Sequence, residues 1–185
     1  MNITFSKQEK IDILENTISW IIVFMMFVYG VGKFMQFNGA IEVNKTLPEL
    51  TGMELMWAFY GYSLPFSIII GLLEILGAVL IFFKRTRLIG CILTSTILVN
   101  IILQDIFFNV HTGALITAII LQLFVFIILW MNKSTVIEVF KLLTKNSTKK
   151  QPLKKRATIF SITFIAFVTL LFLQRHLISF ISHAI

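Results

Sequence analysis

At 185 residues, 57% hydrophobic and with a mean hydropathy of +0.90, the chain is too apolar for a soluble domain and belongs to the membrane class. Its net charge of +7 would suit nucleic acid, but the basic residues gather between apolar runs, the pattern of a cytoplasmic membrane face, and no soluble module accompanies them. A lone cysteine, Cys91, excludes an intrachain disulfide and dithiol exchange; no CxxC or Cys/His cluster points to a metal, and a small buried hydrophobe is its expected role.

Five membrane spans are predicted, at Thr17–Met35, Leu64–Phe83, Leu88–Phe108, Ala114–Met131 and Ala157–Leu173. Each approaches the roughly 20 residues that a helix needs to cross a hydrocarbon core of about 30 Å. Residues 1–16 precede the first span as a cytoplasmic segment. That span ends in Gly30, Gly32 and Lys33 without a small-residue cleavage site, so it reads as a retained span and not a signal peptide. The long connection 36–63 is expected to lie on the external interface and cap the helices. In it, Thr46 with Glu49 and Thr51 with Glu54 match the capping-box spacing, and the second pair should start a short helix carrying Met53, Met56, Trp57, Phe59 and Tyr60. Trp57, Tyr60 and Tyr62 suit the headgroup level, where anchoring and ligand stacking are both open roles.

Ser63, Leu64 and Pro65 make a good start for the second span, and Thr112 is the expected cap of the fourth. Residues 132–156 hold apolar positions at helical spacing (Val136, Ile137, Val139, Phe140, Leu142, Leu143), read as an interfacial helix, and then a basic linker. The Lys149–Arg156 cluster of that linker would attract anionic lipid. Residues 157–185 supply the fifth span and an external tail with His176 and His183.

Lysine and arginine set the orientation. With the N-terminus inside, every basic residue except Lys33, Lys45 and Arg175 falls on the cytoplasmic side. The expected architecture is therefore an all-α membrane protein, N-in/C-out, with a four-helix transmembrane bundle over 17–131 and a fifth C-terminal transmembrane helix. A multi-pass membrane protein is implied, with the lipid bilayer as its first partner.

Polar residues inside spans are costly and so informative. Glu74 lies near the middle of the second span; it should face a protein interior, be protonated or meet a partner. Gly71, Glu74 and Ala78 form one stripe with Gly77 beside it, so a neighbouring helix should approach closely there. Asn100 and Gln104 share a face of the third span with Asp105 next to it; Gln122 stands alone in the fourth; His111 sits in the short turn 109–113. Lys33, Asn100, Gln104, Asp105 and His111 fall at similar depth, with Glu74 below them. An ion pair between Lys33 and Asp105 is expected, whether to fix helix register or to line a polar pocket. No cation matches the depth of Glu74, for which a hydrogen bond to Asn100 is the structural alternative to ligand contact. A metal site has no support, because no second histidine lies near His111.

Three segments together resemble the DoxX-like family of small bacterial membrane proteins: Tyr29-Gly30-Val31-Gly32-Lys33-Phe34; Trp57 to Ser63 with Gly71-Leu72-Leu73-Glu74; and Lys84-Arg85-Thr86-Arg87-Leu88-Ile89-Gly90 running to Asn100 and Asp105. The resemblance covers about Phe24 to Trp130 and leaves out the fifth span. It implies a four-helix membrane bundle with recurrent polar positions at Lys33, Glu74, Arg85, Asn100 and Asp105, and for some members a link to quinone-coupled oxidation. Two functions follow as expectations. One is an outward-facing pocket for a quinone-like molecule within a redox complex, formed by Lys33, Trp57, Tyr62, Glu74, Asn100, Gln104, Asp105 and His111, with no covalently bound cofactor and a separate membrane or soluble redox partner. The other is a non-catalytic scaffold or assembly factor. A homo-oligomer is compatible with either.

Overall fold

The computed structural model describes residues 4–37, 45–145 and 152–184. Among them the chain is all-helical: α1 (Lys7–Gln36), α2 (Gly52–Tyr62), α3 (Leu64–Phe82), α4 (Arg87–Phe107), α5 (Thr112–Met131), α6 (Lys133–Thr144) and α7 (Leu153–Ala184), with a single 3-10 turn at Leu47–Glu49. Five of these, α1, α3, α4, α5 and α7, are long and apolar enough to cross a membrane.

The predicted spans fall on these five helices, and two ends differ. α1 begins at Lys7, well before Thr17, because Ser6 caps it: the Ser6 hydroxyl accepts from the Glu9 N–H at 3.3 Å and the Glu9 carboxylate accepts from the Ser6 N–H at 2.8 Å. α7 runs past Leu173, so Arg175, His176 and His183, expected in the tail after the span, lie on the same helix. The cap of α5 is His111, one residue before the expected Thr112; its Nδ1 accepts from the Gly113 N–H at 3.1 Å. Both predicted capping boxes form, with Glu49 accepting from the Thr46 N–H at 2.9 Å and Glu54 from the Thr51 N–H at 2.8 Å. Of the basic cluster Lys149–Arg156, Lys149 and Lys150 lie outside the described residues, and Lys154, Lys155 and Arg156 are exposed on α7.

The chain divides into two compact units, Met1–Phe140 and Lys141–Ile185. In the first, α1 packs on α3, α3 on α4, α4 on α5 and α5 on α1, a closed circuit of contacts. Its core combines Ile22 and Met26 of α1, Ala78 and Ile81 of α3, Cys91 and Leu98 of α4, and Leu121, Val125 and Ile128 of α5. Cys91 is fully buried there. The outward faces carry exposed Trp20, Phe24, Phe82, Ile92, Phe126 and Trp130, a surface suited to lipid. In the second unit, α7 carries a predominantly apolar, charge-free run from Ile159 to Leu173, interrupted only by Ser161, Thr163 and Thr169.

Small residues set the closest approach. A Cβ on Gly30 would stand 2.7 Å from the Gly71 carbonyl oxygen, so α1 and α3 touch backbone to backbone. Gly77 faces Thr94 of α4, and the stripe Gly71, Glu74, Gly77 and Ala78 is buried as its spacing predicted. Gln122 of α5 finds its partner on the neighbouring helix: its amide donates to the Ser95 hydroxyl of α4 at 2.8 Å. At the end of this unit where α1 finishes, a second core of Phe37, Met56 and Tyr60 seats α2. Gly52 lies so close to the Phe108 backbone that any side chain would collide, and the Ser67 hydroxyl donates to the Tyr60 carbonyl at 2.7 Å. These contacts fix both ends of α2.

Candidate functional site

Between α2 and the adjoining parts of α1, α3, α4 and α5 lies a cavity of about 320 Å³, the lower end of the range for small-molecule sites. α1 contributes Tyr29, Lys33 and Gln36; α2 contributes Met53, Met56, Trp57 and Tyr60; α3 contributes Glu74. α4 adds Leu98, Ile101, Gln104 and Asp105, while Phe37, Val110, His111, Ala114 and Ala118 complete the wall. Six residues expected from the sequence meet here: Lys33, Trp57, Glu74, Gln104, Asp105 and His111.

Two expected members do not. Asn100 is exposed, and its side-chain oxygen accepts from the Gln104 amide at 2.5 Å, so it bonds along its own helix and not to Glu74. The buried stripe of α4 runs through Thr94, Leu98 and Asp105, which turns position 100 away from the cavity. Tyr62, the last residue of α2, is 85% exposed and lines a separate groove with Leu47, Leu50, Phe59 and Phe66. Arg85, implied by the family resemblance, is exposed in the α3–α4 turn.

The expected ion pair also changes partner. Among the described residues Lys33 pairs with Glu74, Nζ to Oε1 at 3.9 Å, and not with Asp105. The cause is the α1–α3 contact: the Lys33 stem lies against Gly71, one turn from Glu74, and the flexible four-carbon chain carries the ammonium that far. Matching residues by backbone depth misses such reach. Lys33 Nζ also lies over the Phe37 ring at 5.3 Å and the Tyr60 ring at 5.6 Å. Phe37 stacks on Tyr60 with centroids 4.8 Å apart and meets Trp57 edge-on at 5.2 Å. This aromatic wall was not expected as a unit, although Phe37 follows Lys33 by four residues and so shares its face.

The polar groups are unevenly satisfied. Tyr60 donates to Gln104 Oε1 at 2.8 Å, and burial pushes its hydroxyl up from the usual tyrosine range, so it stays a neutral donor. His111 accepts on Nδ1, which leaves Nε2 as the N–H of the neutral ring. By contrast, both oxygens of the fully buried Glu74 and one of Asp105 have no hydrogen-bond donor among the described residues. Buried acceptors without donors are unfavourable, and at a cavity wall they invite a ligand that supplies the missing hydrogens. Among the described residues no three His, Cys, Asp or Glu side chains converge as metal ligands do.

The connection between α4 and α5 aims this wall. Asn109 adopts φ 49°, a left-handed conformation that asparagine tolerates better than most residues, and the Val110 N–H returns to the Asp105 carbonyl at 3.3 Å. That reversal places Val110 and His111 at the cavity beside Asp105.

The helices and the cavity together define a small multi-pass membrane protein with a largely apolar chamber, bearing a few charged and polar groups, under a short capping helix. No family model matches the chain, and no solved structure does. A curated relative does match: the uncharacterized protein YwoB of Bacillus subtilis (strain 168), 33% identical over 125 residues, which are 65% of this chain and 77% of the relative. The chain belongs to the same family as YwoB.

Proposed function

We propose that the chain is a DoxX-like protein of the bacterial inner membrane, N-in/C-out, built as a four-helix transmembrane bundle with a fifth span, and that its outward-facing chamber binds a quinone-like molecule within a redox complex. The observation that carries this reading is the set of donor-less carboxylate oxygens on Glu74 and Asp105, facing a chamber walled by Phe37, Trp57 and Tyr60. A flat ring fits against the aromatic wall. Quinol hydroxyls are donors of the kind these carboxylates lack, and Lys33 and the His111 Nε2–H can donate to the oxygens of the oxidised head group. The clustering of Tyr29, Gly30, Lys33, Gly71, Glu74 and Asp105 at one place supports the family resemblance, since all come from its three motifs.

The test is direct. Mass spectrometry of small molecules retained in gentle detergent should find a quinone in the wild-type preparation. Glu74→Gln and Asp105→Asn should each weaken quinone binding about tenfold, equivalent to roughly 1.4 kcal/mol. Binding unchanged in both variants defeats the proposal; a partner protein retained with no small molecule favours the scaffold instead.

A further inference from the structure

We infer that the ligand carries a long apolar tail and that this tail lies in a groove between α2 and α4, so that the molecule enters sideways from the lipid and not from water. The inference rests on the chamber being a head-group site and adds the class of molecule and its route. A second cavity of about 350 Å³ adjoins the chamber, lined by Leu55, Met56, Phe59, Tyr60, Gln104 and Phe108. Met56, Tyr60 and Gln104 line both cavities, so the two share a wall. Their chemistry differs sharply. Lys33, Glu74, Asp105 and His111 belong to the chamber alone; the groove is apolar except for Tyr60 and Gln104.

With Met56, those two residues form the partition. The Tyr60 hydroxyl donates to Gln104 Oε1 at 2.8 Å across the α2–α4 boundary, the one polar link in the wall between groove and chamber. Gln104 keeps its bond to Asn100 meanwhile, so breaking that link leaves the amide partnered.

The groove also continues outward. Leu55 and Phe59 line a third hollow, about 520 Å³, along with Leu47, Leu50 and Phe66, which extends the apolar surface along α2. Phe59 is 61% exposed and Phe107, beside the groove residue Phe108, is 76% exposed. A water-soluble ligand would fill the chamber and leave this surface bare. A tail attached to the head group covers it, and its continuity with the chamber selects the tail of the same molecule as occupant over an unrelated lipid.

The experiment uses the full chain in vesicles of phosphatidylethanolamine and phosphatidylglycerol, with a benzoquinone bearing a decyl tail that ends in a photoreactive diazirine. Peptide mapping should place the label on Leu55, Phe59 or Phe108. A large excess of the tail-less head group, 2,3-dimethoxy-5-methyl-1,4-benzoquinone, should reduce that labelling about tenfold by displacing the head. Phe59→Ala, at an exposed position that spares the core, should lower the preference for the tailed over the tail-less quinone by several-fold, roughly the loss of one apolar contact surface. Label displaced by the competitor but found elsewhere, on α1 or α3, overturns the groove while leaving the chamber reading intact. Label in the groove that the competitor does not displace marks ordinary lipid contact and overturns the inference too. No tail-less quinone bound in equilibrium dialysis removes the chamber reading itself, and the inference goes with it.

Discussion

Two ion-paired cations, one toward each end of α1, are satisfied in opposite ways. Near the start of α1, Arg87 is saturated: Nη1 donates to Glu15 Oε1 at 2.8 Å, Nη2 to the Asn16 side-chain oxygen at 3.1 Å, and Nε to the Ile81 carbonyl at 3.2 Å. Its side chain is 3% exposed and ties α1, α3 and α4 together. About 27 Å along the same helix, at 1.5 Å per residue, Lys33 meets Glu74 only at 3.9 Å, and neither Glu74 oxygen has a donor. The first arrangement leaves nothing for a ligand to complete. The second borders a cavity and leaves acceptors free. A buried charge whose bonds are complete holds helices together; one whose bonds are incomplete, beside a cavity, is where a ligand belongs.

The contrast can be broken first at its saturated end. Arg87→Ala strands the Glu15 carboxylate and the Ile81 carbonyl, and removing one partner of a buried pair costs about 3–5 kcal/mol. Thermal unfolding in detergent should show this as the largest loss among the variants considered; a loss below that of a typical surface change would mean the network is not structural. Next comes the helix contact under Lys33. Gly30→Leu places a side chain where only 2.7 Å separates a Cβ from the Gly71 oxygen, and overpacking of this kind costs about 1–3 kcal/mol. It should also loosen the Lys33–Glu74 geometry, so ligand binding should fall along with stability.

The smallest effect is expected at α2, which covers the chamber. Glu54 is held at about 2, below its ordinary 4.5, chiefly by its hydrogen bond from Lys45 and then by those from Thr51. A depressed carboxyl stabilises the fold above the ordinary value and loses that contribution as pH falls through the folded one. Protection of the first turn of α2 against hydrogen exchange, taken relative to the intrinsic rate at each pH, should therefore be constant above pH 4.5 and fall progressively between 4.5 and about 2. Thr51→Ala should produce the same local opening at neutral pH; unchanged protection in both experiments would show that the capping box does not hold α2 down.

Most of the chamber was legible in the sequence because a polar residue in an apolar span is conspicuous. Lys33, Glu74, Gln104 and Asp105 stand out that way, and Gly71 with Ala78 indicated that Glu74 turns toward a neighbour. What was not legible depended on rotation and reach. Asn100 and Gln104 share a face in projection, yet the Tyr60 hydroxyl draws Gln104 inward while Asn100 stays exposed. Arg87 looked like one more charge in a basic turn beside Lys84 and Arg85. The Thr86 hydroxyl bonds back to the Leu80 carbonyl at 2.8 Å, and the residue that follows enters α4 facing inward. Its partners Glu15 and Asn16 lay just outside the predicted first span, where a polar residue draws no notice. Phe37 and Tyr60 are common residue types that become a binding wall only once α2 is seated.

Matched isosteric substitutions at the two pairs test the central contrast most directly: Glu15→Gln and Glu74→Gln, each followed by unfolding in detergent and by quinone binding. Glu15→Gln weakens a charge-assisted hydrogen bond and should lower stability by about 1.5–3 kcal/mol without touching the chamber. Glu74→Gln loses no hydrogen bond, so stability should stay within about 1 kcal/mol of wild type while binding weakens about tenfold. The contrary result is a Glu74→Gln protein as destabilised as Glu15→Gln that still binds quinone like wild type, which would make the Lys33–Glu74 pair another helix clamp.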